Sequence, residues 1–226
     1  MQTINIIKKI KASDSFLFKS ICDKYDLDLD SYEKTWNLKF DYPENWKVGL
    51  IVGDSGSGKS IVARELFENV YEHNLIKNKD CPLIDNFNDK TINEITNAFL
   101  SVGLGSPPEW INSYSSLSTG QKMRADLATC ILSNENLIAF DEFTSVVDRN
   151  VAKALSHCIA KAFRNSSKQF VAITCHFDVE EWLCPDWVLD LNSKEFYTIK
   201  KKDQTLKSKY FHVNEKYGSF SKSITI

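Results

Sequence analysis

Residues 53–60 read Gly-Asp-Ser-Gly-Ser-Gly-Lys-Ser, a glycine-rich turn closed by a lysine and a hydroxyl side chain. Those residue types at that spacing suit the grip of a polyphosphate. Gly53, Gly56 and Gly58 let the backbone curl, so that the amides of the loop, those of Asp54, Ser55 and Ser57 included, face inward at phosphate oxygens. Lys59 brings a positive charge within reach of the β- and γ-phosphates, and the Ser60 hydroxyl can ligate Mg2+. The run matches G-x-x-x-x-G-K-[S/T]. The overlapping Gly56-x-Gly58 is not a dinucleotide fingerprint, because no third glycine follows at the required offset.

Such a loop works only between a strand and a helix. The apolar run Val48 to Val52 suits a buried parallel strand, and residues 59–72 follow with Val62, Leu66 and Val70 at helical spacing. A helix starting near Lys59 adds its positive dipole end at the phosphate site. Further strands are expected at 35–40, with Trp36, Leu38 and Phe40 on one face, and at 136–140 and 170–174. Helices are expected at 90–101; at 119–132, with Met123, Leu127, Cys130 and Ile131 as the apolar side; and at 148–164, with Val151, Leu155, Cys158 and Ile159. Gly103 to Pro108 interrupts the helical pattern, and 187–213 reads as short strands around a polar turn ahead of a loose last dozen residues. Strands alternating with helices predict an α/β fold with a mainly parallel sheet.

The chain has 226 residues, 42% of them apolar and 26% charged, which suffices for one domain with a packed core. A formal charge of −2 argues against a strongly basic nucleic-acid surface. No apolar run approaches the roughly 20 residues that cross a bilayer, so no membrane insertion is expected. The N-terminal MQTINIIKKIKASDS lacks an apolar core and a cleavage site for secretion. The cysteines at 22, 81, 130, 158, 175 and 184 form no C-x-x-C pair and read as free thiols of a reducing compartment, so a cytoplasmic location is expected.

A phosphate loop alone names no class, since kinases, GTPases, helicases and other ATPases all carry one. More follows in order. Leu117-Ser118-Thr119-Gly120-Gln121 opens an expected helix, a strand ends in Asp141-Glu142, Phe143-Thr144-Ser145-Val146-Val147-Asp148 comes next, and a later strand ends at Thr174-Cys175-His176. From Val48 to His176 this ordered set resembles the ABC ATPase family. The resemblance implies Walker A at 53–60, the signature motif at 117–121, Walker B at 137–142, the D-loop at 145–148 and the switch histidine at 176, and Arg124 also falls where the family often has an arginine. It implies a P-loop NTPase fold in a single domain over 1–226. That fold has a RecA-like sheet flanked by helices, an antiparallel β portion, a reduced helical subdomain over about 88–130, and C-terminal strands and tail over about 187–226. The segments GLGSPPEW, DEFTSVVDRNVA and TCHFDVEEWLCPDWVLD look like stand-alone microbial and phage modules of the family, which in some members are fused to a GNAT-type acetyltransferase.

The resemblance also assigns chemistry, with ATP and Mg2+ as cofactors. Asp141 would hold the metal alongside Ser60, Glu142 would polarise the attacking water, and His176 would donate to the γ-phosphate. Ser118, Gly120 and Gln121 would complete the site of a partner copy in a head-to-tail homodimer with ATP, and Ser145 and Asp148 would line that interface. Closing and opening would then drive a soluble partner, an acetyltransferase or a nucleic-acid-associated complex among the choices; the alternative is the ATP-binding subunit of a membrane ABC transporter. Three positions depart from the family pattern. Thr119 stands where glycine is commoner, Phe143 replaces a proline, and no glutamine lies between the phosphate-loop helix and the signature. Pro82 to Phe87 occupies the expected place of that glutamine, so Asp85 is the substitute expected to ligate metal or water. The short interval from Lys59 to Ser118 implies a trimmed helical region and weighs against transport. Tyr32, Trp36, Tyr42 and Trp46 are candidates to stack on adenine. Trp182 and Trp187 are expected to pack on the helix after the switch strand, His73 and His157 to be structural, and Lys200 to Lys202 to form a solvated basic turn.

Overall fold

The computed structural model describes residues 2–9, 11–28 and 33–199. The alternation read at 35–40 forms strand β2 (Lys34–Phe40), which pairs antiparallel with β1 (Gln2–Lys8). Its apolar face is buried as the period of two requires, with Trp36, Leu38 and Phe40 each at most 5% exposed.

The main sheet runs in the order β4-β5-β6-β3-β7-β8. Strands β3 (Val48–Val52), β4 (Val70–Tyr71), β5 (Leu137–Phe140), β6 (Gln169–Thr174) and β7 (Trp187–Asp190) are parallel, and β8 (Glu195–Thr198) closes one edge antiparallel to β7. Strand β3 lies between β6 and β7, so every one of its residues is buried. Its side chains divide by parity. Val48, Leu50 and Val52 join the core under helices α3 (Ile92–Ser101), α5 (Thr119–Leu132) and α6 (Arg149–Arg164). Ile51 joins the opposite core, with Val62 and Ala63 of α2 (Lys59–Leu66) and with Trp36 of the small sheet. The helices on one face and the two-stranded sheet with α2 on the other hold the strand ends that carry the site.

Two sequence expectations change here. The helix expected over 59–72 stops at Leu66: Phe67 turns extended, and β-branched Val70 pairs with Ala139 as part of β4. Trp187 does not pack on the helix after the switch strand. It is fully buried among Tyr42, Trp46 and Phe196, over Gly49, where any Cβ would lie 2.1 Å from its ring. Trp182 lies on that helix itself, α7 (Val179–Leu183), with the Arg149 guanidinium 4.9 Å over its ring. Strand β1, helix α1 (Phe16–Tyr25) and the short α4 (Pro107–Ile111) have no counterpart in the sequence reading. Helix α1 carries Leu17, Phe18, Ile21 and Cys22 at helical spacing yet buries no residue. The six cysteines are free, as expected. Tyr32, Lys200 to Lys202 and the end of the strands expected over 187–213 lie outside the described residues.

Candidate nucleotide-binding site

The phosphate loop leaves the C-terminal end of β3 and enters α2. Gly56 and Gly58 have φ of +78° and +101°, in the left-handed region open to glycine. Gly58 is fixed by a second demand, since a Cβ there would stand 2.1 Å from the Trp36 ring. That ring lies under the loop and donates from Nε1 to the Ser57 carbonyl (2.9 Å), while Lys34 Nζ donates to the Gly56 carbonyl (2.6 Å). On the other side the Asp54 amide donates to Asn192 Oδ1 (3.0 Å). Lys59 is 7% exposed, and its Nζ donates to the Gly53 and Asp54 carbonyls, both at 2.9 Å. The Ser57 hydroxyl is buried with no hydrogen-bond partner among the described residues.

Strand β5 is parallel to β3 with β6 between them, so its C-terminal end lies at the same edge of the sheet as the loop. Asp141 is 2% exposed; its amide donates to the Tyr71 carbonyl of β4 (2.7 Å), and its Oδ1 accepts from the Glu142 amide (2.9 Å). Glu142 is exposed and has φ of +53°, and Thr144 follows at +66°. A non-glycine residue in that region costs about 1–3 kcal/mol and persists only where its surroundings fix it. The fixing contacts are visible. The Glu142 carbonyl accepts from the Ser145 amide (3.1 Å), the Ser145 hydroxyl (2.8 Å) and His73 Nε2 (3.2 Å), and Phe143 N–H donates to the Ile173 carbonyl of β6 (2.8 Å).

His176 follows β6, its amide bonded to Thr174 Oγ1 (3.2 Å). Burial pushes its pKa below the ordinary imidazole value, helped by the Arg149 cation and by Lys59 and opposed by Asp178 and Glu142. The ring is therefore neutral at neutral pH, with one N–H to donate. Arg149 is itself held by both oxygens of Asp178, which ties α6 to the segment after His176. Asp148 caps α6 by accepting from the Asn150 and Val151 amides (3.0 and 3.1 Å).

Ser118 caps α5 in a reciprocal box with Gln121: its amide donates to Gln121 Oε1 (2.8 Å) and its hydroxyl oxygen accepts from the Gln121 amide (3.4 Å). Gln121 Nε2 is held by Glu109 (2.9 Å). Ser118 is exposed, and its hydroxyl proton remains for an outside acceptor. A Cβ on Gly120 would meet only Val151 and Val147, at 3.8 and 3.9 Å, ordinary contacts. Among the described residues nothing demands glycine there.

No known protein-family model matches the chain. Among curated proteins it is 25% identical over 177 residues to the iron-sulfur clusters transporter ATM1, mitochondrial, of Saccharomyces cerevisiae, covering 61% of this chain and 26% of that one. It is 33% identical over 95 residues to the energy-coupling factor transporter ATP-binding protein EcfA1 of Mycoplasmoides gallisepticum, covering 42% of this chain and 33% of that one. The chain thus spans about a quarter to a third of these relatives' length. Among solved structures, the ATP-binding cassette MJ0796, in a dimeric post-hydrolysis state bound to ADP and Pi, superposes with a TM-score of 0.56 at 15% identity, over 88% of this chain and 98% of that one. A bacterial Atm1-family ABC exporter with ATP bound gives 0.54 at 17% identity, over 82% and 39%. The chain has the ABC ATPase fold.

Within the ABC ATPase fold, the motif residues read from sequence stand at strand ends and at a helix start. The phosphate loop, Asp141-Glu142 and His176 stand at the ends of the adjacent parallel strands β3, β5 and β6, and Ser118, Gly120 and Gln121 lie at the start of α5, Ser118 exposed and the other two half-buried. Asp85, the residue expected to ligate metal or water, is exposed in the helical turn Leu83–Phe87, which packs on α4. The strand on one side of β5 is β4, which the sequence reading missed, and the residues after it are Glu72 and His73. The mistaken helix over 59–72 hid it. Among the adenine candidates, Trp36 is buried under the loop, and Tyr42 and Trp46 stack together in the aromatic core. Arg124 clamps the Val102 and Gly103 carbonyls (3.0 and 2.9 Å), a structural duty. Sequence reasoning also missed Lys34 and Asn192, which reach the loop from 22 and 138 residues away. No local pattern marks such contacts.

Proposed function

We propose that the chain binds ATP with Mg2+ in the 53–60 loop and hydrolyses it within a head-to-tail dimer. The observation that carries the reading is the loop itself: Lys59 Nζ turned in on two carbonyls, above a buried Ser57 hydroxyl without a partner. Both features suit a triphosphate, whose oxygens take the lysine protons and the serine hydroxyl. Ser60 and buried Asp141 suit the metal, which neutralises charge on the phosphate oxygens when bound. Glu142 then polarises the attacking water, and neutral His176 donates its single N–H to the γ-phosphate. The composite site rests on Gly120. Since its own chain tolerates a side chain there, the glycine and the free Ser118 proton serve an acceptor from outside, the γ-phosphate held by a second copy.

Lys59→Ala should weaken ATP binding at least about tenfold by calorimetry; unchanged affinity removes the loop assignment. Glu142→Gln should slow hydrolysis about 10²–10⁴-fold and trap a dimer on size-exclusion chromatography with ATP and Mg2+. A monomer at every ATP concentration contradicts the shared site.

Two readings of the work done by the cycle follow from different observations. The curated relatives are both named as transporter components, which favours an ATP-binding subunit that docks a membrane protein. Between the end of α2 at Leu66 and Ser118 the described chain carries only α3 and α4 as α-helices, a small docking region that favours a soluble partner, such as an acetyltransferase or a nucleic-acid-associated complex. No described helix is long and apolar enough to cross a membrane. Affinity capture from the native cell separates the two: an integral membrane permease supports the first, a soluble complex the second. Free cysteines support placing the protein in the reducing cytoplasm.

A further inference from the structure

Helix α5 is anchored by a buried charge eight residues beyond Ser118. Asp126 is 1% exposed, and its carboxylate accepts from the Asn74 amide (2.9 Å), the Leu75 amide (3.0 Å) and the Tyr114 hydroxyl (3.0 and 3.1 Å). Two of those donors belong to the short segment that follows β4. The residue immediately before them is His73, whose Nδ1 lies 4.0 Å from Asp126 Oδ2. Its ring stands edge-on to Phe140 with centroids 5.4 Å apart, and its Nε2 meets the Glu142 carbonyl at 3.2 Å. A carbonyl only accepts, so Nε2 carries the proton. At 4.0 Å the Asp126–His73 approach is not a hydrogen bond, so the link runs from α5 through the Asp126 carboxylate to the amides of Asn74 and Leu75, along the backbone to His73, and from its Nε2 to the carbonyl of Glu142.

We propose that His73 is a positioning residue for Glu142, and that the Asp126–His73–Glu142 connection couples the engagement of Ser118 at the far end of α5 to the backbone setting of that glutamate. The inference rests on the hydrolytic reading of Glu142 given above. Its physical basis is that Glu142 at φ +53° needs external contacts to hold it. Of its carbonyl's bonds, those from Ser145 are local, and the one from His73 alone arrives from a different element, the one gripped by α5. A displacement of α5 moves Asp126, the backbone at residues 74 and 75, and His73 with them. The Glu142 carboxylate then gains or loses its aim at the water.

The test compares His73→Ala, which removes the donor, with His73→Gln, which restores an N–H on a flexible chain. Steady-state hydrolysis is read as kcat and KM separately. His73→Ala should lower kcat about tenfold, the worth of one hydrogen bond, with KM for ATP within about twofold, and His73→Gln should recover part of kcat. Equal loss in both variants, unchanged kcat, or a KM increase that accounts for the whole effect overturns the proposal. Hydrogen exchange on the nucleotide-free chain gives a readout that does not require turnover: the amide of Ser145 should exchange faster in His73→Ala and in Asp126→Asn. The two substitutions together should add little to either alone, because they cut the same connection. Additive effects overturn the coupling. A wild-type chain that neither binds nor hydrolyses ATP sinks the functional reading instead, and leaves the exchange result to decide the link.

Discussion

At the residue scale, three glycines do different things, and the difference is testable. Gly58 combines a left-handed φ with a ring in the place of its Cβ, so Gly58→Ala should cost about 1–3 kcal/mol and lower the melting temperature as well as nucleotide affinity. Gly49 faces the Trp187 ring and tolerates no side chain, for packing reasons alone. Gly120 has room. Alanine there removes the conformational freedom of a helical glycine, so Gly120→Ala should raise the stability of the isolated chain by up to about 1 kcal/mol while weakening the ATP-dependent dimer. Thermal melting and size-exclusion chromatography on one preparation check both halves. A destabilised monomer would mean that the glycine serves its own fold. From sequence all three are glycines near hydrophobic or motif residues, and only the neighbours brought in by folding tell them apart.

At the element scale, the strands that carry the site are pinned by a carboxylate with no part in the chemistry. Asp186 sits just before β7 and accepts from the amides of Lys47 (2.7 Å) and Val48 (3.0 Å) at the start of β3, and from Arg164 (3.1 Å) at the end of α6. Burial alone would push its carboxyl up; those amides and the guanidinium outweigh it and hold the pKa below 3.8. A depressed carboxylate contributes stability that is present above its unfolded pKa and lost as pH falls through the folded one. Asp186→Asn should therefore cost about 1.5–3 kcal/mol near neutral pH, and the gap from wild type should narrow once the pH drops below the ordinary aspartate range. Denaturant unfolding at two pH values measures it. A pH-independent difference would leave geometry, not charge, as the source. Strands β3, β5 and β6 were legible because apolar runs bounded by turns have little choice in a parallel sheet. Strand β4 was not: its two residues continue the helical spacing of α2, and only pairing with β5 resolves them as strand.

At the scale of the whole molecule, nucleotide should act as a structural ligand. A ligand that binds only the folded chain stabilises it by about 2.7 kcal/mol at a hundred times its dissociation constant. The melting temperature should climb with ATP and Mg2+, and with protein concentration too if a second copy shares the phosphate. Lys59→Ala should show neither dependence. A shift with ATP that ignores protein concentration would describe a site complete within one chain. The shared site would place the exposed start of α5 opposite the loop of another copy, and the His73 connection would carry that contact back to the glutamate.

The sequence by itself determined the phosphate loop, the order of the motifs and the parallel character of the sheet. Each depends on residues close together in the chain, or on short-range patterns of burial and backbone freedom. Lys59 reaching back to Gly53 and Ser118 capping its own helix need no distant information. Tertiary structure alone decided what stands against those motifs: Trp36 and Lys34 beneath the loop, Asn192 at its side, and His73 beside Glu142. Those contacts join segments whose spacing along the chain follows no local rule. They form because sheet order places β4 next to β5 and β7 next to β3, and that order is set by burying two opposed faces at once.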